Sequence, residues 1–394
     1  MRRSFMIPPD PMATHLISFA AVKWDFPLMG RTRMLTEAWS RSGQPTTFVE
    51  PPHSYRSYLA KLLRMPGTRP PPFVIRPGPA RYPVRWWTRM SPTRLRKMMR
   101  DGGVSLRRQL DRRLSVADAA AILISPVWTP MIEAVGFGKV IYDCIDSLSV
   151  HAPDPAMRRI LVDWERDLVN RCDAAVVTAE VLADGLRAIR PDLPIELIRN
   201  GVDAQAFIER AAELPRPQDV PRAQSPTVGF VGALYEWIDW ELIGRAADAL
   251  PNLQFVFVGP HNNASAVSDL SKRPNVRVLG PRPYEVIPAY VAAFDVCWVP
   301  FKVGEITAAA NPVKIYEYLA LSKPVVTTTV ADHDSFAGLV RVGRDHDQVI
   351  QQLRDAIASG QPDSDACKEF VRQNSWDVRA GRFQQFVKEL RHAR

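Results

Sequence analysis

Short apolar runs alternate with amphipathic segments along this chain, and the same alternation occurs in both halves. Residues 119–124 and 227–231 are apolar runs with the length and composition of buried strands. Residues 154–169 predict a helix, because Asp154 is a favourable N-cap residue, Pro155 suits the first turn and the apolar side chains behind them share one stripe. A strand–helix–strand rhythm is typical of a parallel sheet. The sequence therefore predicts an α/β protein with two Rossmann-like domains facing a cleft, in which ligands bind outside the carboxyl ends of the strands.

A segment without apolar periodicity separates the two halves and contains Pro215, Pro217 and Pro221. We therefore predict a first domain over residues 1–207, a linker over 208–226 and a second domain over 227–374. Residues 375–394 predict a terminal amphipathic helix. A chain of 394 residues is long enough for two domains.

Positive charge is concentrated in one stretch of the first half, which also interrupts the strand–helix rhythm. Residues 53–113 contain 16 Lys and Arg against two acids, a net charge of +14, whereas the whole chain carries +9. Aromatic side chains are interleaved with the cations, which favours a patch that binds an anionic membrane surface. Nucleic-acid binding and a solvated insertion are the alternatives, and no nucleic-acid-binding module accompanies the charge. The residues predicted to contact membrane or acceptor are Trp86, Trp87, Arg85, Arg89, Arg96 and Lys97.

Cysteine content and hydropathy indicate where the protein works. The chain has four cysteines and no Cys-x-x-Cys pair, which favours a reducing cytoplasm over a disulfide scaffold. The longest uncharged apolar run, residues 119–132, is shorter than the roughly 20 residues of a membrane-spanning helix. Prolines soon after the initial Met-Arg-Arg interrupt any apolar stretch, so we predict no signal peptide. The expected location is the cytoplasm, peripherally on the inner face of the cell membrane.

Two carboxylates follow a predicted strand over residues 139–142. Asp143 and Asp146 lie at its carboxyl end, where an aspartate can act as the general base that deprotonates an acceptor hydroxyl. The alternative is that either carboxylate caps the loop or pairs with an arginine. Two carboxylates alone make an incomplete metal site, so we predict no bound metal.

The run from Asn311 to Tyr318 combines the start of a helix with a cation. Asn311 is a favourable N-cap residue and Pro312 a favourable first helical residue, which places Lys314 at the third helical position. A cation there opposes the helix dipole unless a phosphate binds at the same end. Glu317 lies on the same face, where it could accept hydrogen bonds from ribose hydroxyls. The alternative is an i,i+3 ion pair on a solvated helix.

Two further positions in the second half are candidate ligand contacts. Gly232 and Ala233 end its first strand, and glycine permits close approach of the backbone to a ligand. This turn is not a G-x-G-x-x-G motif, and a simple strand-to-helix turn is the alternative. His261 follows another predicted strand and could face a nucleotide base, with a surface loop as the alternative.

Several of these segments together resemble GT-B glycosyltransferases of the family 4 type. The matching segments are 198–203, 228–233, 311–326 and 375–377, and the opening around Trp24 and Glu50 also resembles bacterial members. Glu317 matches the second of the two glutamates usual in that family, and Ala309 occupies the position of the first. The resemblance implies a UDP- or GDP-sugar donor, no cofactor, no metal, and a terminal helix that crosses back to the first domain. The implied nucleotide-sugar contacts are Gly232, Ala233, Asn311, Lys314, Glu317, Glu305 and His261.

A second resemblance concerns the predicted base. Residues 142–149 resemble the Tyr-x-x-x-Asp-x-Leu-Ser run of the glucuronosyltransferase of xanthan assembly, an inverting GT-B enzyme. This resemblance assigns the catalytic role to Asp146, with Asp143 as the fallback. It implies a polyprenyl-diphosphate-linked saccharide as acceptor and polysaccharide assembly as the pathway. A UDP-sugar epimerase of the GT-B type and a non-catalytic nucleotide-sugar or membrane-surface binding protein are the alternatives.

Overall fold

The computed structural model describes residues 14–24, 30–51, 74–75, 92–152, 154–221 and 225–390. The chain divides into two compact units. Unit 1 contains the chain up to Thr178, then Leu182–Ile198, and again the chain from Ala380 onward. Unit 2 contains Ala179–Val181 and Arg199–Arg379.

Unit 1 is built on a parallel sheet of seven strands within the described ranges, in the order β3-β2-β1-β4-β5-β6-β7. Asp154 caps the helix that follows β5 by accepting a hydrogen bond from the Met157 backbone N–H at 2.8 Å, as the sequence predicts. The strands are β1 His15–Phe19, β2 Thr46–Val49, β3 Val74–Ile75, β4 Ala119–Leu123, β5 Lys139–Cys144, β6 Ala174–Val177 and β7 Ile195–Leu197. The helices along this part of the chain are α1 Arg31–Arg41, α2 Pro92–Leu110, α3 Thr129–Ile132, α4 Pro155–Arg171 and α5 Glu180–Ile189.

Unit 2 is built on a second parallel sheet, of six strands in the part of the chain that the structure describes, in the order β10-β9-β8-β11-β12-β13. This order is the Rossmann arrangement, with the switch point between β8 and β11. The strands are β8 Thr227–Val231, β9 Gln254–Val258, β10 Val276–Val278, β11 Val296–Val299, β12 Val325–Thr328 and β13 Val340–Gly343. The helices are α6 Ala204–Glu213, α7 Trp240–Ala249, α8 Ala264–Leu270, α9 Ile287–Ala293, α10 Glu305–Ala308, α11 Val313–Ala320, α12 His346–Ser359, α13 Ser364–Gln373 and α14 Trp376–Glu389.

Each face of the second sheet has its own apolar core. Val231 and Val299 belong to the core that includes α11, whereas Phe230 and Trp298 belong to the core that includes α7 and α12. Neighbouring residues of one strand thus point to opposite faces, as the period of two requires. Because both faces are covered, the central strands β8, β9, β11 and β12 are buried and largely apolar, and this pattern made them recognisable in the sequence. The edge strands β10 and β13 are only partly buried, and β13 was not predicted. The predicted α/β class with two Rossmann-like domains is confirmed.

The segment between the two predicted domains is more ordered than its sequence indicates. Helix α6 covers the first residues of the predicted linker, with Asp203 as its N-cap and Phe207 buried. Further along, Asp219 accepts hydrogen bonds from Arg282 at 2.7 Å and from the Tyr290 hydroxyl at 3.0 Å. The division between the units falls at Arg199, and the linker residues that the structure describes belong to unit 2.

The end of the chain belongs to unit 1. Helix α14 begins in unit 2 at Trp376, and its residues from Ala380 onward pack within unit 1. Trp39 on α1 donates a hydrogen bond from its indole N–H to the Ala380 carbonyl at 3.1 Å, and its ring lies 5.2 Å from that of Phe383 in an edge-to-face arrangement. Across the described ranges, no helix is long and apolar enough to cross a membrane.

Candidate active site

The N-terminal end of α11 differs by one residue from the predicted helix start. Pro312 occupies the N-cap position, and Val313 is the first helical residue. The Asn311 side chain does not cap the helix, because its Oδ1 accepts hydrogen bonds from the Asn200 backbone N–H at 3.0 Å and from the Tyr316 hydroxyl at 3.1 Å. The prediction of Asn311 as N-cap is therefore wrong. Lys314 stands at the second helical position, still within the first turn.

Lys314 and Glu317 form an ion pair. Its surroundings match neither the predicted ligand-binding pair nor the alternative of an ion pair on a solvated helix. The Lys314 Nζ lies 2.9 Å from Glu317 Oε2, and the Tyr284 hydroxyl donates to Glu317 Oε1 at 2.9 Å. Glu317 is only 2% exposed, whereas the Lys314 side chain is 22% exposed. The i,i+3 pair therefore exists, but its carboxylate is buried and not on a solvated helix face. Only the cation of the pair is partly accessible to a ligand.

Tyr284 is a member of this group that sequence reasoning missed. It lies in the short helical turn Tyr284–Val286, which follows β10 along the chain. Its ring centroid is 5.8 Å from the Lys314 ammonium, within the range of a cation–π contact. Burial, together with the negative charge of Glu317, raises the pKa of the Tyr284 hydroxyl well above its ordinary value, so the group stays a hydrogen-bond donor. The available signal was its position just after a strand of a Rossmann-like domain.

The turn after β8 depends on two glycines that let the backbone cross closely. The Gly232 N–H donates to the Val258 carbonyl at 2.9 Å, at the end of β9. A Cβ on Gly259 would lie 1.8 Å from the Gly232 carbonyl oxygen, and Gly259 has a φ of +153°. A side chain at Gly259 would therefore break this crossing. Ala233 follows, half-buried, and its carbonyl accepts a hydrogen bond from the Trp237 indole at 3.1 Å.

The remaining two predicted nucleotide-sugar contacts, His261 and Glu305, both lie in unit 2. His261 is exposed and forms an isolated parallel bridge with Leu234, which places it beside the turn after β8. Glu305 is exposed and begins the four-residue helix α10. Ala309, at the position of the missing glutamate, is buried.

Asp143 is buried and paired, as the alternative interpretation proposed for one of the two carboxylates. The Arg31 Nε lies 3.0 Å and 3.1 Å from the two oxygens of Asp143, and both side chains are 2% exposed. Asp143 therefore does not present its carboxylate to a substrate. This geometry removes it as the fallback base.

Asp146 lies beyond the end of β5 and is partly exposed. Its Oδ1 accepts a hydrogen bond from the Ser147 backbone N–H at 2.8 Å, which ties the carboxylate to its own loop. The Thr178 hydroxyl donates to the carbonyl of the preceding residue, Ile145, at 3.1 Å. Of the two predicted carboxylates, Asp146 is the one with access to solvent.

The basic segment is described only in part. Trp86, Trp87, Arg85 and Arg89 lie outside the described residues. Arg96 on α2 donates to Glu133 at 2.7 Å and to Asp167 at 2.6 Å, so its guanidinium belongs to an ion-pair network of unit 1.

Lys97 is exposed on the outward side of α2. Among the described residues, no group of three or more His, Cys, Asp or Glu side chains is arranged to hold a metal ion.

Comparison with protein families and curated relatives agrees with this geometry. Residues 225–359 match the family described as glycosyl transferases group 1. A putative teichuronic acid biosynthesis glycosyltransferase of Bacillus subtilis is 25% identical over 264 residues, which is 59% of this chain and 66% of that relative. The alignment thus spans just under two thirds of the relative's own length.

Solved structures share the fold over almost all of the chain. Sucrose-phosphate synthase from Thermosynechococcus elongatus superposes with a TM-score of 0.71 at 16% identity, covering 96% of this chain and all of that one. The Anabaena protein HepE in complex with UDP and glucose gives a TM-score of 0.67 at 15% identity, covering 95% of this chain and all of that one. At such identities the likeness shows the fold alone. The predicted resemblance is confirmed: the chain has the GT-B fold, and residues 225–359 match the glycosyl transferases group 1 family.

Proposed function

We propose that this protein transfers a sugar from a nucleotide-sugar donor to a lipid-linked saccharide at an anionic membrane surface, during the assembly of a bacterial polysaccharide. Binding of the nucleotide-sugar is supported by the group that Tyr284 forms with Lys314 and Glu317 of α11. This group lies within residues 225–359, the part of the chain that matches the glycosyl transferases group 1 family.

The chemistry of that group suits a nucleoside diphosphate. An ammonium has three donors, and Glu317 uses only one of those on Lys314. The first backbone N–H groups of α11 have no partners within the helix, and they carry the positive end of its dipole. Together they form an anion-binding end that can stabilise a leaving diphosphate without a metal ion. The HepE complex with UDP and glucose, which has the same fold, supports a uridine nucleotide as the first ligand to test.

The proposed reaction uses Asp146 as the general base. Its carboxylate takes the proton of the acceptor hydroxyl, the hydroxyl oxygen forms a bond to the anomeric carbon, and the bond from that carbon to the nucleotide diphosphate breaks. Attack opposite the leaving group inverts the anomeric configuration. A positioned base contributes on the order of 10²–10⁴-fold to such a step. The partial exposure of Asp146, in contrast to the buried Asp143, supports this assignment.

Helix α2 supports the proposed membrane attachment. Its inner side is fixed in unit 1 by Met99, Leu106 and Leu110, which are at most 2% exposed. Its outward side carries the exposed cations Lys97 and Arg100. Cations near an anionic leaflet contribute about 1 kcal/mol each, and a lipid-linked acceptor would lie at the same surface. The relative described as a putative teichuronic acid biosynthesis glycosyltransferase supports glycan biosynthesis as the process.

Release of nucleoside diphosphate is the decisive measurement for this function. Purified protein is incubated with UDP- and GDP-sugars, with and without a polyprenyl-diphosphate-linked saccharide fraction. We expect diphosphate release that depends on the acceptor, together with transfer of labelled sugar to lipid. Conversion of the donor to another nucleotide-sugar without acceptor would indicate an epimerase. Donor binding without turnover across the acceptor panel would contradict the proposal and favour a binding protein.

A further inference from the structure

The end of strand β5 is anchored to three different elements of unit 1. Tyr142 donates from its hydroxyl to Glu165 on α4 at 2.7 Å, on one face of the sheet. Asp143 points to the other face and pairs with Arg31 at the start of α1. One residue beyond the strand, the Ile145 carbonyl accepts a hydrogen bond from Thr178, just after β6. The chain is therefore fixed from both faces and from its neighbouring strand immediately before Asp146.

The Arg31–Asp143 anchor differs from the others because it buries two charges. Removing both groups from water costs about as much as their mutual attraction returns, so such a pair adds little stability over apolar side chains of similar volume. What the pair provides is orientation, because a planar guanidinium holds a carboxylate in a defined direction. Here the Arg31 Nε contacts both oxygens of Asp143, at 3.1 Å and 3.0 Å.

The Asp146 carboxylate follows the position of its own loop. Its Oδ1 is bound to the backbone N–H of the next residue, Ser147, so the side chain is tied to the segment that continues β5. A shift of the strand end would therefore move the carboxylate with it. Displacement of a catalytic group by about 1 Å can reduce turnover by about 100-fold.

We propose that Arg31 and Asp143 are positioning residues, which hold the end of β5 so that the Asp146 carboxylate meets the acceptor hydroxyl. This inference rests on the proposed function with Asp146 as base. Neither residue touches the reacting atoms in this account; both act through the loop that carries Asp146. This positioning role explains why a buried charge pair lies at the carboxyl edge of the sheet, three residues before the proposed base.

The test is the double variant Arg31→Met/Asp143→Leu, which replaces the ion pair by apolar side chains of similar volume. We expect a melting temperature close to that of the parent, kcat lower by roughly 10–100-fold, and unchanged donor affinity and donor KM. The matched control is Arg187→Met/Asp184→Leu, which removes an exposed ion pair on α5 of the same unit and is expected to leave kcat unchanged. A merely structural role would lower kcat only together with the melting temperature or the donor affinity. A fall in kcat alone therefore indicates positioning.

Asp143→Asn provides a second, milder variant. It keeps one oxygen as an acceptor for Arg31 and nearly the same shape, so we expect a folded protein with kcat several-fold lower and unchanged donor affinity. If the double variant does not fold, this variant decides the question.

Normal kcat in the folded double variant, or in Asp143→Asn when the double variant is unfolded, would overturn the inference. So would a fall in kcat that only matches the loss of folded protein. Asp146→Asn tests the proposed base separately from the proposed positioning role. If Asp146→Asn keeps normal turnover, the proposed base itself is wrong. If it is inactive while the Arg31 and Asp143 variants turn over normally, only the positioning role fails.

Discussion

Lys314 and Glu317 lie one helical turn apart on α11, and their ion pair joins a partly exposed ammonium to a carboxylate that is only 2% exposed. Tyr284 occupies the second oxygen of that carboxylate, at 2.9 Å. The cation is thus held at the N-terminal end of the helix by a buried group. This arrangement explains how a lysine can stay at a helix end that electrostatically disfavours it.

The first prediction concerns nucleotide affinity. Lys314→Ala should weaken UDP binding by about 1.5–3 kcal/mol, the scale of a hydrogen bond to a charged group, and should leave uridine binding almost unchanged. Glu317→Ala should weaken UDP binding as well and leave uridine binding almost unchanged, because it removes the buried carboxylate that holds the Lys314 ammonium in place. Calorimetric titration of both variants with UDP, GDP and uridine measures these differences.

Lys368→Ala is the matched control for that experiment. Lys368 and Asp365 also form an i,i+3 pair near the start of a helix, α13, with the acid before the cation, and both side chains there are well exposed. Its removal should leave nucleotide affinity unchanged. Equal affinity of parent and folded Lys314→Ala for UDP would reduce the pair on α11 to a structural contact.

Sequence patterns alone were sufficient for the central strands of both sheets, but not for the edge strands β3 and β13 or for the contacts between distant residues. The central strands of unit 2 are buried on both faces, and apolar runs are their direct signature, whereas β13 is only partly buried and contains Arg341. The start of α11 was placed one residue too early because the side chain of Asn311 bonds to Asn200, which is 111 residues away in sequence. Local capping rules contain no information about such a partner.

The candidate site shows the same limit. Lys314 and Glu317 could be paired from their spacing, whereas Tyr284 lies 33 residues from Glu317 and no local pattern connects them. By position alone Asp143 and Asp146 were equivalent in the sequence, and only the family resemblance favoured Asp146. Only the position of Arg31, 112 residues away, shows that Asp143 is the buried, paired member.

The second prediction concerns the pH dependence of stability through Glu165. Burial raises the pKa of Glu165 above its ordinary 4.5, so the folded state favours the protonated carboxyl. The stability that this protonated group contributes is present below the unfolded pKa and is lost as the pH rises through the folded pKa. Glu165→Gln removes the charge and keeps an acceptor for the Tyr142 hydroxyl. Its melting temperature should match the parent near pH 4, exceed it increasingly as the pH rises towards the folded pKa of Glu165, and keep a constant excess above that pKa.

Thermal melts of parent and variant between pH 4 and pH 7.5 measure this difference. Glu389→Gln is the control, because Glu389 is exposed and accepts a hydrogen bond from Gln385 that a glutamine would keep. Its difference from the parent should not change with pH. If the difference in melting temperature between Glu165→Gln and the parent were also independent of pH, the charged Glu165 carboxylate would not be disfavoured in the folded state.

The third prediction concerns membrane binding by α2. Charge reversal of Lys97 and Arg100 to Glu should weaken binding to vesicles containing phosphatidylglycerol by about 30-fold or more, given about 1 kcal/mol for each cation near the surface. Binding of the parent should also weaken at high salt, because screening shortens the reach of the charges. Vesicle co-sedimentation over a salt series measures both effects.

Reversal of Lys272 and Lys368 to Glu gives a control with the same change in net charge in unit 2. Binding should be almost unaffected by that control if α2 is the contact surface. An equal loss in both double variants would indicate a response to net charge alone. Equal binding of the parent to neutral and anionic vesicles would rule out the electrostatic account.

The fourth prediction concerns the chemical step and Asp146. Asp146→Asn keeps the shape of the side chain and an oxygen that can accept the Ser147 N–H, but an amide cannot take the acceptor proton. Turnover with the lipid-linked acceptor should therefore fall by on the order of 10²–10⁴-fold, while UDP affinity stays at the parent value because the proposed donor residues lie in unit 2. The anomeric configuration of the product, measured by NMR, should be inverted relative to the donor. Retention of configuration would contradict a single displacement assisted by this base, and near-normal turnover of Asp146→Asn would remove Asp146 from the mechanism.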